Sequence, residues 1–164
     1  TAFSVGFYGQ FTSLTGYICP ISKNDTPAGV DNKEYRLELA SGKPYFDLTD
    51  NSASAKIGRY YNTAISTYTN TLLEGTYTGS GASTGIHVKV NAVTVDDSDD
   101  TGGSYVAMED KNAPSSIGVF SPTDKNELMP ADSFWSVVWV TGSKALTDAE
   151  SNQMLQLCKR LAGE

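Results

Sequence analysis

Leu72-Leu73-Glu74-Gly75-Thr76-Tyr77-Thr78, then Gly79-Ser80-Gly81-Ala82-Ser83-Thr84-Gly85, then Ile86-His87-Val88-Lys89-Val90 is the stretch that decides the fold class. Ile86, Val88 and Val90 fall on one side of an extended chain, and His87 and Lys89 on the other. That is a period of two, the signature of a strand with one covered face. The seven residues between the arms are small, polar or glycine, so they read as a flexible turn. The stretch is therefore a β-hairpin.

The same period runs outward in both directions. Phe3, Val5 and Phe7 alternate with Ser4 and Gly6. Tyr17-Ile18-Cys19-Pro20-Ile21 is a short strand in which Pro20 predicts an edge or a bulge, because proline donates no ladder hydrogen bond. Asn24 to Lys33, with Pro27 and Gly29, reads as a polar loop. Tyr35-Arg36-Leu37-Glu38-Leu39 alternates, Ser41-Gly42-Lys43 turns tightly, and Tyr45-Phe46-Asp47-Leu48 returns. After the opening hairpin, Asn91-Ala92 interrupts and Val93-Thr94-Val95 resumes. Ser116 to Phe120 is another short strand. Ser133 to Thr141 is apolar on both faces, which predicts a central, fully covered strand with Trp135 and Trp139 in the core.

One segment departs from this period. Thr147-Asp148-Ala149-Glu150 is a capping box, in which the threonine caps and the glutamate three residues on reaches back. Met154, Leu155, Cys158 and Leu161 recur at helical spacing, and Gly163 ends the helix. Eight to ten short strands and one C-terminal helix predict an antiparallel β-sandwich of jelly-roll type. The expected division is a sandwich over 1–146 and a helix over 147–164 packed on it.

Composition bounds the function. The chain has 164 residues, 12 Lys plus Arg and 19 Asp plus Glu, for a formal net charge of −7. One domain is expected from that length. The negative charge disfavours nucleic acid, whose phosphates need a basic surface. It equally disfavours anionic membranes, and no apolar run is long enough to insert in one. Charged residues make up only 19% of the chain, so its polarity comes mainly from Ser, Thr, Asn and Gly, as suits an extracellular or virion-surface domain. The sequence starts on Thr1, as expected of a processed chain or an excised piece. Cys19 and Cys158 stand far apart, and two buried thiols or one disulfide both fit them. With one histidine, His87, zinc chemistry has no ligand cluster.

Catalytic constellations are missing from the sequence. Glu34 and Glu38 share a strand face about Arg36, the nearest approach to the carboxylate pair of a glycosidase. The plainer expectation is a solvated charge row. His87 has no serine elbow to serve and reads as a surface residue. Tyr60 and Tyr61, with Arg59 and Asn62 beside them, are the candidate ligand rim, because aromatic faces stack on sugar rings while amides meet hydroxyls. Asp97, Asp99 and Asp100 in the acidic run are the candidate metal ligands, since calcium takes clustered carboxylate oxygens. Asp47 and Asp50 are a second candidate for it.

Phe3-Ser4-Val5-Gly6-Phe7-Tyr8 with Phe11-Thr12-Ser13-Leu14 resembles the opening strand of the concanavalin A-like lectin/glucanase superfamily, in its laminin-G-like branch. Tyr35-Arg36-Leu37-Glu38-Leu39 with Lys43-Pro44-Tyr45-Phe46 is similar to a hairpin of that family. Glu74-Gly75-Thr76-Tyr77-Thr78-Gly79 and Gly85-Ile86-His87-Val88-Lys89-Val90-Asn91 resemble its "GTYDG" turn and "YVNG" strand end. Ala145-Leu146-Thr147-Asp148-Ala149-Glu150 resembles its closing "ALS-x-x-E" cap. Thr71-Leu72-Leu73 stands where the family has Trp, and Ala92 where it has Gly. The resemblance implies a concanavalin A-like sandwich and a calcium ion at the sandwich rim. The expected function is a non-catalytic recognition module on a cell or virion surface that binds carbohydrate or another surface ligand. The alternative is a virion structural protein, a capsid decoration or fibre domain, whose partners are neighbouring virion proteins.

Overall fold

The computed structural model describes residues 1–27 and 31–164. The centre of the loop expected over Asn24 to Lys33, including Gly29, lies outside the described residues. The described residues form two antiparallel sheets, one α-helix and a single 3-10 turn at Ser83–Gly85. The first sheet holds, in spatial order, β11 (Phe134–Gly142), β1 (Phe3–Gln10), β6 (Thr71–Tyr77), β7 (Ile86–Val90) and β8 (Val93–Thr94). The second holds β10 (Ser115–Ile117), β2 (Tyr17–Asp25), β3 (Asn32–Ala40), β4 (Lys43–Asp50), β5 (Ala55–Tyr60) and β9 (Ser98–Asp99). This is the all-β sandwich that the alternation predicts. Strand β2 extends into the expected polar loop as far as Asp25, and β3 starts at Asn32.

The core lies between the sheets. Val5 and Phe7 of β1, Leu37 and Leu39 of β3, Phe46 and Leu48 of β4, and Leu73 of β6 are fully buried there. Each such side chain contributes roughly 1.5–3 kcal/mol by leaving water. Phe46 packs against Gly75 so closely that a Cβ there would collide with its ring. That explains a glycine in the middle of a strand whose every residue is buried.

The capping box is present in α1 (Asp148–Ala162). Thr147 accepts from the Glu150 amide, and the Glu150 side chain accepts from the Thr147 amide. Gly163 ends the helix at φ 82°. The helix lies on the outer face of the five-stranded sheet, where Leu155 and Cys158 meet Tyr8, Leu72, Val137 and Trp139. Lys89 and Glu74, cross-strand neighbours on that face, are buried beneath it. Lys89 Nζ donates to Leu146 O (2.8 Å) and Ser151 Oγ (3.0 Å), and Ser151 Oγ donates to Glu74 Oε1 (2.9 Å). These bonds fix the helix on the sheet. Cys19 and Cys158 are both free and buried.

Two expectations are corrected. Residues 133–141 were expected to form a central strand, but among the described residues β11 pairs only with β1 and is the edge of its sheet. Its two apolar faces have two neighbours, the sandwich core for Val138 and the helix cluster for Val137 and Trp139. Covered faces say nothing about the ladder direction, where β11 is open. Trp135 is accordingly 52% exposed rather than in the core, while Trp139 lies half-buried over Gly6. The second correction concerns Glu34 and Glu38. They are not a solvated row, being only 1% and 2% exposed.

Candidate functional site

Arg36 and Glu38 occupy alternate positions of β3 on the outer face of the six-stranded sheet, opposite the core side of Leu37 and Leu39, whereas Glu34 falls at a register shift in the β2–β3 ladder and lies instead with Lys23, Phe3 and Tyr35. The turn after β3 sets what Arg36 and Glu38 meet. Ser41 and Gly42 take φ values of 50° and 80°, the doubly left-handed turn that matches strand twist. That register places Arg36 opposite Asp47 and Glu38 opposite Tyr45.

Arg36 is the hub of this face. Its Nε donates to Asp47 Oδ2 at 2.9 Å, and its Nη1 lies 3.0 Å from Glu38 Oε2 and 3.8 Å from Glu127 Oε2. Its guanidinium also lies over the Phe120 ring, 5.4 Å from the centroid. Burial pushes the Glu38 carboxyl up to about 8, reinforced by the Asp47 and Glu127 charges against the opposing pull of Arg36. One arginine does not offset three carboxylates, so Glu38 keeps its proton near neutrality.

Glu127 and Phe120 arrive from the segment 118–129, which crosses the sheet as a strap. The bulge in β2 holds it. Between Ile18 and Ile21 the ladder to β3 breaks, which frees Cys19 N–H to donate to Glu127 O (3.0 Å) and Pro20 O to accept from Gly118 N–H (3.0 Å). Ser22 Oγ adds bonds to Val119 O and Phe120 O, each 2.9 Å. The bulge that Pro20 predicts is therefore what anchors the strap.

A groove of about 550 Å³ runs between this strap and the opposite wall at Gly102 and Gly103. Arg36, Asp47, Thr49 and Lys56 line it from β3, β4 and β5. A two-bond bridge between Lys56 and Gly102 secures the second wall. Beyond Asp47 on the same face, Tyr45 and Tyr60 stack with centroids 4.5 Å apart and planes 6° from parallel.

The three candidate rim residues meet here. Tyr60 is half of that stack. Tyr61 follows it, half-buried, with its N–H on Pro44 O. Asn62 is exposed, its Oδ1 accepting from Lys43 Nζ (2.7 Å) and its N–H donating to Asp97 Oδ1 (3.1 Å). The candidate metal ligands diverge instead. Asp99 pairs with Arg59 (2.8 Å), Asp100 with Lys56 (2.6 Å), and Asp97 caps the Asn62 amide. Asp47 and Asp50 also part, one to Arg36 and the other to the Val106 and Ala107 amides. Among the described residues no three His, Cys, Asp or Glu side chains converge as a metal would need. Arg36, Tyr45 and Glu127 went unrecognised as site residues in the sequence, and Asp47 was singled out there only as a candidate calcium ligand. The signal for Arg36, Asp47 and Tyr45 was the tight turn, whose register pairs β3 with β4.

No family model and no curated protein matches the sequence. Solved structures do match. The chain is similar to the Ruminococcus gnavus IT-sialidase CBM40 bound to alpha2,3 sialyllactose, with TM-score 0.65 and 11% identity, over 94% of this chain and 82% of that one. It is similar to the botulinum neurotoxin type G receptor binding domain, with TM-score 0.61 and 11% identity, over 95% of this chain and 38% of that one. It is also similar to the binding domain of botulinum neurotoxin DC in complex with SialylT, with TM-score 0.59 and 13% identity, over 96% and 35%. The chain thus spans well under half the length of the toxin domains. At such identities these matches establish a shared sandwich fold.

Proposed function

We propose that this chain is a non-catalytic carbohydrate-binding module that holds a glycan on the outer face of its six-stranded sheet. The observation that carries this reading is the groove that Asp47 helps to line, with the Tyr45–Tyr60 stack next along the same sheet face. Aromatic faces there offer CH–π contact to a sugar ring, and Thr49, Asp47 and Asn62 offer partners to its hydroxyls. Tyr60, Tyr61 and Asn62 form the rim. The likeness in fold to a carbohydrate-binding module and to toxin receptor-binding domains supports the reading. Glu34 and Glu38 lack the setting of a glycosidase pair, since Glu34 is held by Lys23 at 2.7 Å and Glu38 by Arg36. A surface-acting, extracellular module follows. The test is a glycan array probed with the wild-type chain and with Tyr60→Ala. Signal that the variant loses supports the site, and an array without signal refutes it.

One observation favours the second reading, a structural component that docks on neighbouring chains such as those of a virion. Strand β11 is a nine-residue edge without charge, and it exposes Phe134, Trp135 and Val140. Long apolar edges invite strand pairing between molecules. Light scattering on wild type and Val140→Lys separates the readings. A concentration-dependent assembly abolished by the lysine supports docking, and a monomer at all concentrations opposes it.

A further inference from the structure

We propose that the groove selects neutral glycans and turns away those bearing a carboxylate, such as sialylated chains. This rests on the glycan-binding reading above and adds a ligand class to it.

The cations of the groove are already occupied. Three cationic side chains line the groove, Lys33, Arg36 and Lys56. Each has a protein carboxylate in contact. Lys33 pairs with Asp31 at 3.1 Å, Lys56 with Asp100 at 2.6 Å, and Arg36 with Asp47 and Glu38 at 2.9 and 3.0 Å. Arginine grips a carboxylate best through two parallel N–H bonds, from Nε and Nη2 or from Nη1 and Nη2. Here Asp47 holds Nε and Glu38 faces Nη1, so neither two-pronged edge is open to a ligand.

The local charge adds to this. Five carboxylates, Asp31, Glu38, Asp47, Asp100 and Glu127, stand around the three cations. Even with Glu38 protonated, the groove carries net negative charge inside a chain of −7. A ligand carboxylate entering it meets repulsion from these carboxylates and forfeits its own hydration for cations whose charge is already balanced by the protein. A hydroxyl-bearing ring meets no such penalty, because carboxylates and amides accept from hydroxyls directly. On the same face Lys43 meets no carboxylate among the described residues, but it is bound to the Asn62 amide and lies outside the groove lining.

The experiment is an array of neutral oligosaccharides and their sialylated counterparts, read before and after sialidase treatment. Wild type is expected to bind neutral members, with signal unchanged or raised by sialidase. Asp47→Asn and Glu127→Gln each remove a negative charge beside Arg36. Each is expected to raise the sialylated signal about ten-fold, once circular dichroism shows the fold kept. Two variants are used because Asp47 is buried while Glu127 is on the strap. A wild type that prefers sialylated members overturns the inference but leaves glycan binding standing. Neutral binding with both variants still silent toward sialylated members overturns the charge argument. No signal from either class overturns the inference together with the reading beneath it.

Discussion

Arg36 Nε and Asp47 Oδ2 lie 2.9 Å apart across the β3–β4 ladder, with the carboxylate almost wholly withdrawn from solvent. The pair sits on the outer face of the sheet, where the alternation of β3 alone predicted solvent. Around it gather Glu38, Glu127 and Phe120, so one ion pair organises the strap, the groove floor and the charge of the site.

Removing the hub should be costly. Arg36→Met leaves Asp47 and Glu38 buried without their cation, and breaking such a pair costs about 3–5 kcal/mol. Urea denaturation of wild type and variant is expected to show a loss of this size. A loss under ~1 kcal/mol would mean that the arginine is no more than a surface charge.

Glu38 makes stability depend on pH in an unusual direction. Its folded value is raised, from the ordinary 4.5 to about 8. A raised acid binds more protons folded than unfolded, so its contribution is complete below pH 4.5 and lost as pH rises through about 8. Glu74, raised to about 7 mainly by burial under the helix, acts with the same sign. The melting temperature is expected to fall from pH 5 to pH 9, and to fall less in Glu38→Gln. A melting temperature that climbs over that interval contradicts the assignment.

Gly6 is expected to tolerate no side chain. A Cβ there would overlap the indole of Trp139 on the neighbouring strand. Gly6→Ala should therefore cost about 1–3 kcal/mol through overpacking. Thermal denaturation checks the loss, and Trp139 fluorescence should shift as the ring is displaced from beneath the helix. A variant with unchanged melting and emission would mean that the indole moves freely.

Calcium is expected to leave the chain's stability unchanged. Asp99 and Asp100 are held by Arg59 and Lys56, and Asp97 by the Asn62 amide. A scanning fluorimetry comparison with excess calcium and with excess chelator should give one melting temperature. An upward shift with calcium would show that these pairs open to admit the ion.

Much of the fold was legible because period-two alternation is written locally. Phe3-Val5-Phe7 and Ile86-Val88-Val90 announce their buried faces without reference to any partner, and Thr147 with Glu150 announces the helix start. The place of β11 was not legible, since its apolar faces report the layers above and below and not its neighbours in the ladder. The burial of Glu34 and Glu38 was hidden for a similar reason. Glu38 meets Glu127, some 90 residues away on a strap whose anchor is a bulge, and Glu34 is closed in by Lys23 and the Lys111 amide. Tyr60 was readable as an aromatic candidate, while its stacking partner Tyr45 became visible only through the hairpin register.

The most direct measurement is a titration of the isotope-labelled chain with neutral oligosaccharides, followed through backbone amide resonances. The account predicts progressive, saturable shifts at Thr49, Lys56, Tyr60 and Asn62, with those of the helix undisturbed. Shifts confined to the helix or to β11, or no shifts at millimolar sugar, would contradict it.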